Sequence, residues 1–338
     1  MKKLSVTYFF GIDVSKKKLD FAFAKGLAFL SHQQIDNNYI SIIAFIRAKL
    51  KAEKISIAQC CFCMEQTGIY CNHLIRVLLD LGAQFSVSHS AHIKLSFGLT
   101  RGKNDKVDAK RIAEFAYRFN DKLKPYKPKR AVVDELDTLC KLRKKLMKMK
   151  NQISVPLNEL KSFGAEAKHK LYKSNTAKSL EAIALDIKSV TKAIRQLIKS
   201  DERLKELDTW IGSVVGVGAV TTPAVIVVTN EFTNGFSAKQ MCSFCGVAPF
   251  THQSGSSLNG KNRVSHKANK YLKTLLNMCA MSAIQTNSDL GRFYHRKLSE
   301  GKNKMSALNA VRNKIIHRIF AVVAGERKYE RKLSLPAS

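Results

Sequence analysis

The hydrophobic period of the chain changes near residue 125, and this limits what it can fold into. Before that point short apolar runs alternate with polar turns and one-sided helical stripes. After it, apolar residues recur at heptad spacing. VTYFFGID, LDFAFA from Leu19 and LAFLSHQQI after Gly26 read as three successive strands within residues 6–35. Ile42, Ile43, Ile46 and Leu50 share one face of a helix beginning at Ile40. ISIAQCCFCME reads as a buried strand ending at Glu65, residues 69–81 as a helix and QFSVS as a short strand. Asp105 to Phe119 reads as a helix with Val107, Ile112, Phe115 and Phe119 apolar. A meander followed by alternating helices and strands predicts an α/β domain over residues 1–125. Pro125 and Pro128 mark the linker after it.

Residues 126–207 read as a helical coiled-coil arm. Leu136, Leu139, Leu146, Ile153, Leu157 and Leu160 occupy heptad positions, interrupted by Arg143 and Lys150. Leu180, Ile183, Ile187, Val190, Ile194 and Leu197 form a cleaner second stripe. Two long helices follow from this, either as an internal arm or as an oligomerisation coil. Residues 208–325 form a third, mainly helical block. Gly212, Gly216 and Gly218 bracket a turn that resembles a helix–hairpin–helix. Such a turn can cradle a phosphate or simply join two helices. The charged tail over residues 326–338 is expected to fray.

The chain has 338 residues, enough for more than one domain, and carries 58 Lys and Arg against 26 Asp and Glu, net +32. The excess of bases runs through all three blocks, which points to a polyanionic partner, naturally nucleic acid. No apolar stretch is long enough to span a membrane, and the N-terminus lacks the pattern of a cleaved signal. Cys60/Cys63 and Cys242/Cys245 have C-x-x-C spacing. The first pair sits in an apolar strand and the second at a helix end, without a finger-spaced histidine pair, so buried thiols in a reducing cytoplasm are expected rather than zinc.

In so basic a chain each carboxylate invites a question. Asp13 ends the first strand and Glu65 ends the fourth. Asp105 and Asp108 stand three apart at a helix start, on one face. Each alone has an ordinary explanation as a turn or capping residue. Together they are suited to Mg²⁺, a hard ion that takes oxygen ligands and bridges phosphate. Two ions would serve attacking and leaving oxygens alike.

Asp13 in GIDVSK, Glu65 in EQTGIY, and Asp105 and Asp108 in KNDKVDA resemble the tetrad of the DEDD-type insertion-sequence transposases. That family includes Piv-type DNA invertases and bridge-RNA-guided recombinases. GVGAVTTPAVI, GVAPFTHQSGSS and RVSHKANKYLKTLL are similar to its C-terminal transposase domain. The resemblance implies an RNase H-type, RuvC-like first domain and Mg²⁺ on the four acids. It also implies a nucleophilic serine at Ser254 and a bacterial, nucleoid-associated protein. Lys103, Lys261, Arg263, Lys267, Lys270 and Lys273 are the expected nucleic-acid contacts. The chain departs from the usual pattern at Asn104, His266, Ala268 and Lys273, which bears on substrate contacts rather than on the tetrad. From the residues alone the Ser254 segment reads as a flexible phosphate-binding loop, because His252 and His266 do not complete a hydrolase triad.

The resulting expectation is a DNA transposase or recombinase that cleaves and rejoins strands by transesterification through Ser254. The first and third blocks would then act together, within one chain or between chains of a dimer or tetramer. A structured bridge RNA is an expected partner. The rivals are a Piv-type invertase, a RuvC-like nuclease using water, and a non-catalytic nucleic-acid-binding protein.

Overall fold

The computed structural model describes residues 6–98, 104–254, 258–264, 268–286 and 288–330. Two compact units divide after Pro128.

In the first unit β1 (Tyr8–Val14), β2 (Lys18–Lys25) and β3 (Ala28–Asp36) form the expected antiparallel meander. α1 (Tyr39–Ala52) leads to β4 (Cys60–Glu65), α2 (Asn72–Asp80) to β5 (Gln84–Ser88), and α3 (Ser90–Ser96) precedes α4 (Asp105–Arg118). The sheet order is β3-β2-β1-β4-β5, with β4 parallel to β1 and β5 parallel to β4. An antiparallel meander continued by two parallel strands thus makes one mixed sheet, as the expected α/β first domain requires. β1 is central and buried on both sides, which is why YFFGIDV reads as a continuous apolar run. Phe10, Ile12 and Val14 pack with Ile42, Ile46, Leu74 and Leu78 on one face, and Phe10 stacks on Phe62 at 4.6 Å. Phe9 packs with Cys61, Cys63, Ile112 and Phe115 on the other. Cys60 belongs to the first of these clusters and Cys63 to the second, so this C-x-x-C pair is split across the sheet and cannot share an ion.

Two elements differ from the sequence reading. Residues 57–59 form a 3₁₀ turn rather than the start of a strand, because Gln59 and Ser56 close a capping box there. α3 was not anticipated.

The second unit begins with α5 (Ala131–Ser162) and α6 (Glu166–Ser200), an antiparallel hairpin closed by a turn at residues 163–165. The expected stripe packs inward, with Ile183 and Ile194 buried. Arg143, which breaks the heptad, donates from Nε to Thr191 Oγ1 at 3.0 Å and is thereby tolerated between the helices. At the root Arg130 donates to both carboxylate oxygens of Asp201 (2.8 and 2.9 Å) and of Glu231 (2.6 and 2.9 Å). Asp201 also caps α7 (Glu202–Gly212) by accepting from Leu204 N. These pairs hold the guanidinium charged and keep the Asp201 carboxyl below the usual carboxylate range.

α8 (Thr221–Thr229) and α9 (Ala238–Phe244) follow, then the hairpin of β6 (Pro249–Ser254) and β7 (Leu258–Val264). The unit ends with α10 (Lys270–Gln285), α11 (Asp289–Ser299) and α12 (Lys304–Ala324). α12 runs through the core with Val311, Ile315, Ile316 and Ile319 buried against Leu276, Cys279 and Leu290. α7 and α8 are joined by the tight turn expected at Gly212, Gly216 and Gly218. Gly216 is required there for packing: its φ is +86°, and a Cβ would stand 2.3 Å from Cys279 O. The tail does not fray at its start. Tyr329 donates from N to Ser213 Oγ at 2.7 Å and from Oη to Asp289 Oδ2 at 3.2 Å.

The closest backbone approach in the first unit is at Gly11. A methyl placed there would lie 2.1 Å from Ala113 N and 2.2 Å from Ala109 O of α4. Gly11→Ala is expected to destabilise this unit by about 3 kcal/mol or more, beyond ordinary overpacking, because backbone cannot yield as a side chain does. Urea unfolding of the full chain checks this. Ala113→Gly is not expected to rescue the variant, since the clashing atoms are main chain.

Candidate active site

The register of the central strands brings the first two acids together. β1 and β4 run parallel with Ile12 opposite Met64, and Asp13 and Glu65 are the next residues at the two carboxyl ends. Both belong to the α4 face, in step with Phe9 and Gly11 and with Cys61 and Cys63. Crevices outside the carboxyl ends of parallel strands are the usual ligand sites of open sheets. α4 supplies the other pair. Its N-cap is Asn104, whose Oδ1 accepts from Lys106 N at 3.0 Å. The departure at Asn104 is therefore conservative, since Asn caps a helix at least as well as Thr. It also means that neither Asp105 nor Asp108 is the cap. They occupy the first turn, where the helix dipole favours negative charge.

Asp13, Glu65, Asp105 and Asp108 line one cleft of about 430 Å³, together with Thr67, Lys94 and Arg111. Asp108 accepts from Arg111 Nη1 at 3.2 Å. Thr67 Oγ1 donates to Glu65 O at 3.0 Å and fixes the end of β4. Burial, and after it the charges of Asp105, Asp108, Glu65 and Asp20, together raise the Asp13 carboxyl to about 6. Crowded carboxylates with this little cationic relief fit a hard divalent ion: every donor is oxygen, and the charge that burdens Asp13 is the charge an ion would neutralise. Among the described residues no three acids already converge at ligand distance, so binding would draw the side chains inward from the cleft walls.

A fifth acid, not singled out by the sequence pattern, stands beside them. Asp20 is opposite Asp13 on β2 and buried. It accepts from Gln34 Nε2 at 3.1 Å and faces His32 Nε2 at 2.8 Å. The available signal was the i, i+2 spacing of His32 and Gln34 on β3, which puts two polar side chains on the face that Asp20 shares.

Ser254 ends β6, with its backbone paired to Leu258. The segment expected as a loop is thus a hairpin up to Ser254; residues 255–257 lie outside the described residues. So do Lys103, His266 and Lys267, and the side chains of Ser254, Lys261 and Arg263. Lys270 is exposed in the first turn of α10, and Lys273 is half-buried one turn further on. Asn269 caps that helix, accepting from Leu272 N at 3.1 Å.

Two family profiles match the chain. One, of the DEDD type and described as Transposase, matches residues 10–160. The other, described as Transposase IS116/IS110/IS902 family, matches residues 208–295. The pilin gene-inverting proteins of Moraxella lacunata and Moraxella bovis are 25% and 24% identical over 343 residues, covering 98% of this chain and 99% of theirs. An IS110 insertion-element protein of 43.6 kDa from Streptomyces coelicolor is 25% identical over 46% of this chain and 38% of its own length. Among solved structures, RuvC of Thermus thermophilus in complex with a Holliday junction substrate aligns with 36% of this chain and 99% of that one, at 11% identity and a TM-score of 0.29.

The raised Asp13 carboxyl has a consequence for stability. An acid whose folded value lies above its unfolded one favours folding at low pH, and this contribution is lost as pH rises from about 4 through about 6. Without divalent ions, wild type is expected to lose stability relative to Asp13→Asn across that window and to run parallel to it above. Thermal unfolding at closely spaced pH values reads the difference. Curves that stay parallel throughout would refute the crowding.

Proposed function

The chain belongs to the IS116/IS110/IS902 transposase family, and from that premise we propose that it cleaves and rejoins DNA strands by metal-assisted transesterification with Ser254 as the nucleophile. The observation that carries this is the common cleft of Asp13, Glu65, Asp105 and Asp108 at the carboxyl ends of parallel strands. These residues would hold Mg²⁺, in two positions if both attacking and leaving oxygens are served. Magnesium bound there would polarise the phosphoryl oxygens and offset the charge that develops on them. Lys94 and Arg111, at the same cleft, bear cations that steady a phosphate as it enters. Asp20, opposite Asp13 on β2 and held by Gln34 and His32, adds a fixed negative charge beside it.

In the proposed step Ser254 Oγ attacks phosphorus. The Oγ–P bond forms, one P–O ester bond of the strand breaks, and the hydroxyl proton passes to the departing oxygen. The phosphoserine ester conserves the bond, so reversal by another strand's hydroxyl rejoins DNA without an external energy source. Lys103, Lys261, Arg263, Lys267, Lys270 and Lys273 are proposed to bind the phosphate backbone, and a structured guide RNA is a proposed partner. Inversion rather than transposition is a second reading. It is favoured by the pilin gene-inverting proteins, which align over nearly the whole of both chains.

The test uses a plasmid carrying the coding region with its flanking DNA, incubated with the protein and Mg²⁺. Wild type is expected to yield a detergent-resistant protein–DNA adduct. Ser254→Ala should lose the adduct and strand exchange, and Asp13→Asn should lower cleavage by at least about a thousandfold. Free nicks from Ser254→Ala at the wild-type rate would favour water as the nucleophile instead. RNA extracted from the purified protein, sequenced and mapped to those flanks, tests the guide.

A homo-oligomer is also proposed. The outer part of the arm exposes Phe163, Leu171 and Leu185 at 86%, 67% and 62%. Exposed apolar side chains of this size on an arm favour a partner surface. Leu171→Lys with Leu185→Lys is expected to reduce the solution mass measured by light scattering while leaving helicity unchanged. An unchanged mass would make the arm an intrachain device.

A further inference from the structure

A groove of about 1270 Å³ opens in the second unit. One wall is α12, from which Ser306, Asn309, Asn313 and His317 project at helical spacing along the groove. At 1.5 Å per residue this polar stripe is about 16 Å long. The opposite wall is apolar, with Val247, Pro249 and Val264 beside the β6–β7 hairpin. Lys302, Lys314 and Arg318 border the space, and among the described residues no aspartate or glutamate lines it.

Within this groove Arg312 stands out. It is 4% exposed, yet among the described residues no carboxylate pairs with it. Its guanidinium donates to the side-chain oxygens of Asn309 (3.4 Å) and Asn277, which orient it but leave its charge unbalanced. Its Nε has no acceptor among the described residues. The nearby Asp289 is already engaged: it accepts from both terminal nitrogens of Arg318 and from Tyr329 Oη. A buried cation without a counter-ion is costly. Its retention in a groove edged by further cations points to an anion that arrives from outside.

We propose that this groove binds an unpaired nucleic-acid strand, with a backbone phosphate taken by Arg312 and its flanking phosphates by Lys302 and Lys314. The apolar wall receives sugar and base surface that a paired strand keeps within its duplex, so the groove discriminates against double-stranded DNA. Single-strand sites commonly combine a cationic track with apolar surface in this way. The inference rests on the chain acting on nucleic acid, and it concerns a site apart from the acid cleft.

The test is fluorescence anisotropy of the full chain with three labelled 15-nucleotide probes: single-stranded DNA, its RNA equivalent and duplex DNA, over a range of salt. Wild type is expected to prefer the single strands. Arg312→Gln should weaken single-strand binding by about tenfold or more, and each phosphate contact removed should lower the salt slope by about 0.7. Lys302→Glu with Lys314→Glu, at exposed positions, reports on the same groove even if Arg312→Gln fails to fold. Equal loss for single strand and duplex, or unchanged single-strand affinity in the exposed double variant, overturns the groove. A wild type that binds none of the probes overturns the nucleic-acid reading itself. Comparison of the DNA and RNA arms identifies the strand: weaker RNA binding assigns it to DNA, and stronger RNA binding to RNA.

Discussion

The first unit depends on how closely α4 can approach β1. Gly11 lets the helix backbone rest directly on the strand, with Ala109 and Ala113 completing a contact that has no room for a methyl group. Ala22 and Ala24 on β2 keep the neighbouring surface equally low. Because Asp13 lies two residues beyond Gly11 and Asp108 one before Ala109, this one contact sets the distance between strand-borne and helix-borne acids. The aromatic stack of Phe10, Phe23 and Phe62 on the opposite face holds the strand against displacement. A tight helix–strand contact and an acid cluster are therefore a single feature, and neither can be altered alone.

Electrostatics sharpen the division of labour. A chain of net +32 attracts nucleic acid almost anywhere on its surface. The acid cleft is the exception. There, among the described residues, four carboxylates meet only Lys94 and Arg111, and the raised Asp13 carboxyl records the crowding that remains. Under the proposed function, reaction at the cleft would be conditional on metal, while general affinity for polyanions comes from the basic surface elsewhere. The second unit carries the reverse imbalance: Arg312 is buried without an acid, just as Asp13 is crowded without a base. Each imbalance is costly in the free protein, and a ligand of opposite charge would relieve it.

Much of this was legible from residue order. The meander, the helix beginning at Asp105 and the two long heptad helices all follow from apolar period, and the acids stood out because each ended an apolar strand or opened a helix. Other features escaped for identifiable reasons. α3 is only seven residues long, too short for a helical period to register. The hairpin before residue 255 is built from Thr, His, Gln and Ser, which mimic a loop in composition. Asp20 lies within the strand read from LDFAFA and ends no apolar run, and its partners His32 and Gln34 belong to a different strand.

By itself the sequence determined the elements, the change from α/β to helical architecture, the positive charge and the identity of the acids, because these depend on residue type and short-range period. Tertiary structure decided what no period encodes. Parallel pairing of β1 with β4 put Asp13 beside Glu65 across a separation of fifty-two positions, and the glycine contact brought α4 over both. The same holds for the solitary Arg312, which looks like any other basic residue until folding removes it from water without giving it a carboxylate. Charge is written in the chain, but desolvation and proximity set its energy, and both exist only once distant segments have packed.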